Sequence, residues 1–262
     1  MDLGIDGRSA IVTGASRGIG LATARVLASE GARVLMVARG EAALTEAARS
    51  VGSEVATLAV DVTDPAAAER VVRACEQRFG AAEILVSNAG TSRVRSIDEL
   101  SEADWSEQWD LNVMASMRLM RAAVGSMAER GFGRIVNVSS SSGKRPSTSN
   151  AAYTVTKAAQ LALSRVYADS YARSGVLVNA VAPGAVGTEL WMEPGGLADQ
   201  TAEREGASRD EVLGALADRI PVGRLGTDEE IAWVIAFLCS ERASNVAGAS
   251  WSVDGGTVPS FL

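Results

Sequence analysis

The stretch that most limits how this chain can fold begins at Ser9-Ala10-Ile11-Val12. It runs directly into Thr13-Gly14-Ala15-Ser16-Arg17-Gly18-Ile19-Gly20, and LATARVLASEG follows. A short continuous apolar run predicts a buried strand, and the segment after the glycines carries a helical pattern. Strand, glycine-rich turn and helix together form a geometry in which backbone approaches a pyrophosphate closely and a helix N-terminus faces the anion. The spacing is G-x-x-x-G-x-G rather than G-x-G-x-x-G. The pattern therefore draws its weight from the strand before it and the helix after it. Gly14, Ser16, Arg17, Gly18, Ile19 and Gly20 are the candidate phosphate-binding residues.

The same alternation repeats along the chain. Residues 33–38, RVLMVA, predict a second buried strand, and 54–60 a third that ends in Asp61-Val62. Asp64, just before Pro65, predicts the N-cap of a helix reaching Phe79. EILVS at 83–87 predicts a fourth strand, delivering Ser87-Asn88-Ala89-Gly90 at its end. Residues 101–129 read as a long helical region with Asn112 in its middle, a polar amide among apolar neighbours that needs a partner. A strand at 134–138 leads to Ser139 and Ser140, a helix spans 151–174, and a strand at 176–181 ends in Pro183-Gly184. Near-continuous apolar strands alternating with helices predict an α/β fold: a three-layer, doubly wound parallel sheet of the Rossmann kind. The polar motifs all fall just after strands, the edge at which such sheets bind ligands.

The end of the second strand carries the choice of nucleotide. A carboxylate there would bond a ribose 2′-hydroxyl, whereas an arginine accepts a 2′-phosphate. This chain reads Val37-Ala38-Arg39-Gly40, with no acid before Glu41, and Arg17 offers a second cation. The expectation is NADP(H).

Tyr153 precedes Lys157 by four residues on a predicted helix, so both project from one face. A phenol titrates near ~10, and a neighbouring cation favours its ionised form. Ser140 supplies a second hydroxyl able to hold a substrate oxygen. The set therefore contains a proton donor, a group that tunes it and an orienting hydroxyl.

Composition removes competing chemistries. The 262 residues contain no histidine. That excludes Ser-His-Asp and Cys-His catalysis and argues against a catalytic zinc site. It also disposes of a decoy, since Gly14-Ala15-Ser16-Arg17-Gly18 matches an esterase G-x-S-x-G elbow but has no base to serve it. A net charge of -7 argues against a nucleic-acid partner. Cys75 and Cys239, far apart in apolar helical patterns, predict buried free thiols and a cytoplasmic, reducing setting. The N-terminus lacks a signal-peptide pattern, and no apolar run is long enough to span a membrane. With little proline and no low-complexity linker, the expectation is one domain over residues 1–262.

Taken together, these residues resemble the short-chain dehydrogenase/reductase family, of the compact single-domain type, over essentially the whole chain. TGASRGIG at 13–20 resembles its cofactor loop, and Asp61-Val62 the pair that contacts adenine. Ser87-Asn88-Ala89-Gly90 resembles its N-N-A-G turn, with serine in place of the first asparagine. Pro183-Gly184 through Thr188, Val186 included, resembles the turn that orients the nicotinamide carboxamide. Val253-Asp254-Gly255-Gly256 resembles the last strand, and Ala38-Arg39 resembles the NADP-preferring members.

The resemblance places Asn112, Ser140, Tyr153 and Lys157 in a catalytic tetrad and implies hydride transfer between NADP(H) and a carbonyl or secondary alcohol, with no metal. It implies that Tyr153 donates the proton, Ser140 polarises the oxygen, Lys157 lowers the tyrosine pKa and reaches the nicotinamide ribose, and Asn112 holds a water that links Lys157 to solvent. Asn88, Ala89 and Gly90 join Tyr153 and Lys157 among the cofactor-binding residues. Residues 188–224 are expected to form a substrate lid, hinged at Pro194-Gly195-Gly196, with Trp191, Met192 and Leu197 as candidate lining. Arg93, Arg95, Lys144 and Arg145 are candidates for attracting an anionic substrate, with solvated loop charge as the other reading. A 3-oxoacyl-[acyl-carrier-protein] reductase and a non-catalytic NADP-binding sensor stand as alternatives to a small-molecule carbonyl reductase. Family likeness also implies a homotetramer, or a homodimer, pairing the 101–129 and 151–174 helices and the C-terminal strand, with VPSFL as a possible contact.

Overall fold

The computed structural model describes residues 2–52 and 54–259. Seven strands form one sheet: Ser9–Thr13 (β1), Arg33–Ala38 (β2), Val55–Ala59 (β3), Ile84–Ser87 (β4), Gly133–Val138 (β5), Val176–Pro183 (β6) and Ser250–Val253 (β7). Their spatial order is β3-β2-β1-β4-β5-β6-β7, and every pairing is parallel. The chain runs outward from β1 to β3, returns to lay β4 beside β1, then runs outward the other way. The order therefore reverses between β1 and β4, and a crevice opens at their carboxyl ends.

Alternation along each strand divides the core in two. Ala10 and Val12 of β1 pack on one face with Val34 and Met36 of β2, while Ile11, Leu35 and Val37 pack on the other. The first face is covered by Gly18–Ser29 (α1) and Asp228–Cys239 (α10). The second is covered by Ala67–Phe79 (α3) and Ala115–Glu129 (α5). Apolar side chains at consecutive strand positions are required because both faces are buried. Glu41–Arg49 (α2) and Ala151–Tyr171 (α6) complete the flanking layers. Cys75 and Cys239 are free and buried, as expected.

Three sequence expectations shift. The helix expected from Asp64 begins at Ala67; Asp64 instead brackets its start, accepting from Ala66 N at 2.9 Å through the side chain and from Ala67 N through the carbonyl. The region at 101–129 is Glu102–Trp109 (α4), a π turn at Asp110–Met114, then α5. Ser101 starts it with a capping box to Asp104. The C-terminal strand ends at Val253, so the Asp254-Gly255-Gly256 part of the motif lies in the turn beyond it. Of the VPSFL segment, residues 260–262 lie outside the described residues.

The β1–α1 turn has no room to spare. A Cβ on Gly20 would sit 2.5 Å from Asn88 Nδ2 and closer still to the Gly14 carbonyl oxygen. Gly20→Ala is therefore expected to lower the unfolding free energy by about 1–3 kcal/mol in urea melts. Gly214→Ala, on an exposed helix with nothing within 4 Å of its Cβ position, is expected to be neutral or slightly stabilising. Equal losses in the two variants would show that the turn has slack.

Candidate active site

A cleft of about 1420 Å³ follows the carboxyl edge of the sheet. Gly14, Ser16, Arg17, Gly18 and Ile19 line it from the turn after β1, and Arg39 from the end of β2. Asp61 and Val62 line it after β3, and Asn88, Ala89 and Gly90 after β4. Ser140, Tyr153 and Lys157 line it beside β5 and α6; Pro183, Gly184, Val186 and Thr188 line it after β6. Two predicted residues lie behind the wall. Gly20 is a packing glycine, and Asn112 is fully buried.

The nucleotide end is built from backbone. Gly14 adopts φ +66° and Gly18 φ +52°, conformations in which a side chain is strained. Asn88 fastens the two central strand ends together: Nδ2 donates to Thr13 O at 2.9 Å, and its backbone N donates to Thr13 Oγ1 at 3.0 Å. Ala89 N donates to the same hydroxyl at 3.1 Å. No acid stands in the first turn of α1. Arg39 is exposed at the end of β2. The Asp61 carboxyl is held below its ordinary range, first by the Thr63 backbone N–H, with Arg39 adding a smaller pull. This edge suits an anionic nucleotide: backbone N–H groups, a glycine cradle and a free-standing arginine, with no carboxylate at the end of β2.

Ser140, Tyr153 and Lys157 meet at the middle of the cleft. Ser140 is buried at the end of β5, where its Oγ accepts from Ser142 N at 3.1 Å. Tyr153 stands on the first turn of α6. One helical turn on, Lys157 is 2 % exposed, with Nζ 5.5 Å from the centre of the tyrosine ring. Nζ donates to Val138 O at 2.8 Å and to Gln160 Oε1 at 3.2 Å. Burial pushes the Tyr153 phenol up, and its hydrogen bond with Ser140 opposes that. Lys157 contributes no lowering in the protein alone, in contrast to the expectation from i,i+4 spacing. The reason is that burial pulls the ammonium itself down to about 7, leaving it only partly charged near neutrality.

Asn112 sits in the π turn, a form frequent at functional sites. Its Nδ2 donates to Gln108 Oε1 at 3.0 Å and to Thr156 Oγ1 at 3.1 Å. Its Oδ1 is buried with no partner among the described residues. The Cβ position of Gly90 lies 3.1 Å from that oxygen and 3.5 Å from Lys157 Nζ.

A family model described as "Enoyl-(Acyl carrier protein) reductase" matches residues 14–258. The 3-oxoacyl-[acyl-carrier-protein] reductase FabG of Vibrio cholerae is 35% identical over 254 residues, 97% of this chain and 98% of that protein. The chain belongs to the short-chain dehydrogenase/reductase family. Galactitol 2-dehydrogenase of Agrobacterium fabrum is 32% identical, over 96% of this chain and 98% of that enzyme. Among solved structures, L-sorbose reductase from Gluconobacter frateurii, complexed with NADPH and L-sorbose, is 38% identical, covers 100% of both chains and has a TM-score of 0.93. The resemblance expected from the motifs is borne out, and this short-chain dehydrogenase/reductase is an oxidoreductase with the expected Rossmann sheet.

At the mouth of the cleft most of the candidate cations are engaged by other groups. Arg93 lies 3.8 Å from Glu107, Arg95 pairs with Asp104 at 2.6 Å, and Lys144 Nζ donates to Ser250 O at 2.6 Å on β7. Only Arg145 of the four expected cations lines the cleft without a carboxylate partner among the described residues. Arg17, expected as a second phosphate cation, pairs with Glu193 at 2.6 Å.

The 188–224 region folds as three short helices: Glu189–Met192 (α7), Leu197–Glu205 (α8) and Arg209–Asp218 (α9). Trp191 and Leu197 line the cleft; Met192 does not and is exposed. The Pro194-Gly195-Gly196 bend is braced, with Gly195 N donating to Asp199 Oδ2 at 2.7 Å and Gln200 Nε2 donating to Gly195 O at 2.8 Å.

Sequence reasoning missed Gln108, Ser116 and Gln160, which are buried around Asn112 and Lys157. The available signal was the polar periodicity 108/112/116, facing 156/160/164 on the next helix.

The depressed Lys157 value has a sign that can be measured. An unfolded chain holds this proton up to about its ordinary 10.5, whereas the folded chain releases it near 7. Between these values the unfolded state binds more protons, so the contribution of Lys157 to stability improves as pH rises. Urea melts of the unliganded protein and of Lys157→Met should show the wild type gaining on the variant from pH 7 toward 10. A flat difference would mean that Lys157 keeps its charge on folding.

Proposed function

We propose that this protein is an NADP(H)-dependent oxidoreductase that interconverts a carbonyl and a secondary alcohol without a metal, using Tyr153 as acid and base. The observation that carries the reading is the meeting of Ser140, Tyr153 and buried Lys157 in the one cleft that also holds the glycine turn. The NADPH in the L-sorbose reductase structure supports the choice of nucleotide, as do Arg39 and the missing carboxylate after β2. Gly14, Ser16, Arg17, Gly18 and Ile19 would hold the pyrophosphate, with Gly20 packing behind them. Asp61 and Val62 would flank the adenine. Asn88, Ala89 and Gly90 would lie against the nicotinamide ribose, and Pro183, Gly184, Val186 and Thr188 against the carboxamide.

When bound, the nicotinamide supplies a hydride to the carbonyl carbon. Tyr153 then donates its hydroxyl proton to the carbonyl oxygen. The phenol is protonated at neutral pH, the form this step requires, and burial moves its titration further up. Ser140 Oγ donates a hydrogen bond to the same oxygen as charge develops there, and the protein's own dipoles do this without reorganising. Lys157 steadies the tyrosinate that remains. Asn112 Oδ1 and Lys157 both reach the space beside Gly90, and a water held there would return a proton to Tyr153 through Lys157. Positioned proton transfer of this kind is worth roughly 10²–10⁴-fold.

Residues 188–224 act as the substrate lid of a single domain covering the chain. The polar mouth of the cleft, where the arginines are mostly paired, favours a small neutral hydroxy-carbonyl substrate. The sugar-directed relatives are in keeping with this. Reduction of a carrier-linked 3-oxoacyl group is the second reading, favoured by the FabG relatives. The reductase would work in the cytoplasm, its two thiols kept reduced. It would assemble as a homotetramer, covering exposed Trp109, Val155 and Val166 on one helical face and Trp233 and Trp251 on the other.

NADPH oxidation should be followed with L-sorbose and with an acetoacetyl thioester. Turnover of the thioester alone would favour the second reading, and NADPH binding without turnover of any carbonyl would favour a sensor. Tyr153→Phe should lose at least about 10²-fold in kcat and still bind NADPH in a fluorescence titration; near-normal turnover would sink the assignment. In the same titration, Ala38→Asp/Arg39→Leu should reverse a preference for NADPH over NADH. Tight NADH binding by the wild type would show that Arg39 plays no part in the choice.

A further inference from the structure

The faces that α5 and α6 turn toward each other are polar where a helix interface is ordinarily apolar. Asn112 and Ser116 come from the π turn and α5; Lys157, Gln160 and Ser164 come from α6, and all are at most 3 % exposed. Such a seam is costly unless its members are paired. Gln160 is the member that joins the rest to Lys157. Its Oε1 accepts from Lys157 Nζ at 3.2 Å, and its Nε2 donates to Ser116 Oγ at 2.9 Å. Ser116 Oγ in turn donates to Asn112 O at 3.2 Å. Lysine offers only donors, so the glutamine oxygen has to face it, and the amide is thereby committed to Ser116.

We propose that Gln160 is a positioning residue for Lys157: its carbonyl holds the ammonium against β5, and its amide anchors that hold to α5 through Ser116.

This rests on the Tyr153–Lys157 reading above. The ammonium has three donors. Val138 O and Gln160 Oε1 take two on the inner side, leaving one for the cleft. Without Gln160 a single carbonyl would fix the flexible end of the side chain. No carboxylate among the described residues pairs with Lys157. Its own helix brings Tyr153; the π turn and α5 bring the neutral Asn112 and Ser116; β5 brings a carbonyl; the turn after β4 brings Gly90. A neutral acceptor therefore does the work that an ion pair does at other buried lysines. This chain of bonds also ties Lys157 to the backbone of Asn112, the group that shares a water with it in the proposed relay.

The chain has only two lysines, Lys144 and Lys157, so NMR of isotope-labelled lysine in the unliganded protein reads the Lys157 titration against one other signal. Gln160→Leu should move that midpoint down by about one unit or more, since it removes an acceptor from the charged form. Gln160→Glu, which keeps an oxygen in place, should move it up. Ser116→Ala should move it in the direction of Gln160→Leu by a smaller amount. Ser164→Ala, which removes a seam member that does not touch Lys157, should leave it in place. In NADPH-dependent reduction of L-sorbose or the acetoacetyl thioester, Gln160→Leu should lose about tenfold in kcat with NADPH affinity retained, and Gln160→Glu should recover part of that loss. Midpoints unmoved in Gln160→Leu and Ser116→Ala, or moved equally by Ser164→Ala, would overturn the proposal. If Gln160→Leu does not fold, Gln160→Glu and Ser116→Ala decide it by the same titration. Turnover by Tyr153→Phe is scored separately: an active variant sinks the catalytic reading and leaves the titration to judge Gln160.

Discussion

Asn88 holds the carboxyl ends of β1 and β4 at a fixed spacing, and the cleft depends on that spacing. These are the strands between which the sheet order reverses. Side-chain and backbone donors of Asn88 converge on Thr13. The Cβ position of Gly20 lies 2.5 Å from the same amide. Neither contact tolerates a bulkier neighbour, so the turn before α1, the helix itself and the strand end move as one unit. A pyrophosphate needs such a unit because backbone N–H groups can neutralise it only at hydrogen-bonding distance.

The chemistry at the other end depends on the opposite device. There the protein buries polar groups rather than excluding them. Lys157 is placed where water cannot solvate it, and its charged form is weakened as a result. Val138 O and Gln160 Oε1 accept from the ammonium at 2.8 and 3.2 Å. Tyr153 is pushed toward the protonated state by the same burial. The site at rest therefore presents a neutral acid beside a lysine poised close to neutrality. This arrangement responds to whatever charge enters the cleft.

Between these ends lies the 188–224 segment, which makes a few polar ties to the body. Glu193 reaches Arg17 of the glycine turn, and Gln200 Oε1 accepts from Val94 N after β4 at 3.0 Å. Exposed ion pairs contribute little to stability, so the first tie orients the segment more than it secures it. Glu193 engages only Nη1 of Arg17, so the other donors of that guanidinium stay available beside Arg39, which stands exposed at the end of β2.

Much of this was legible in the chain alone. Short apolar runs at 33–38 and 84–87, bounded by turn residues and rich in β-branched side chains, fit strands buried on both faces, and the glycines after β1 fit a tight turn. Their carboxyl-end motifs followed, because a parallel sheet puts every such end on one edge. The sequence alone therefore determined the fold and the cofactor edge, and it singled out Ser140, Tyr153 and Lys157 as candidates. Tertiary structure decided what those groups experience. Spacing of four residues puts Tyr153 and Lys157 on one face, but only packing reveals that Lys157 is buried and that burial weakens its charged form. The arginines at 93 and 95 read as free cations until the fold sets Glu107 and Asp104 beside them. Gln160 and Ser116 read as ordinary helix residues for the same reason: the partner that gives each its meaning lies on another element, and hydrogen bonding acts over distances that sequence separation does not record.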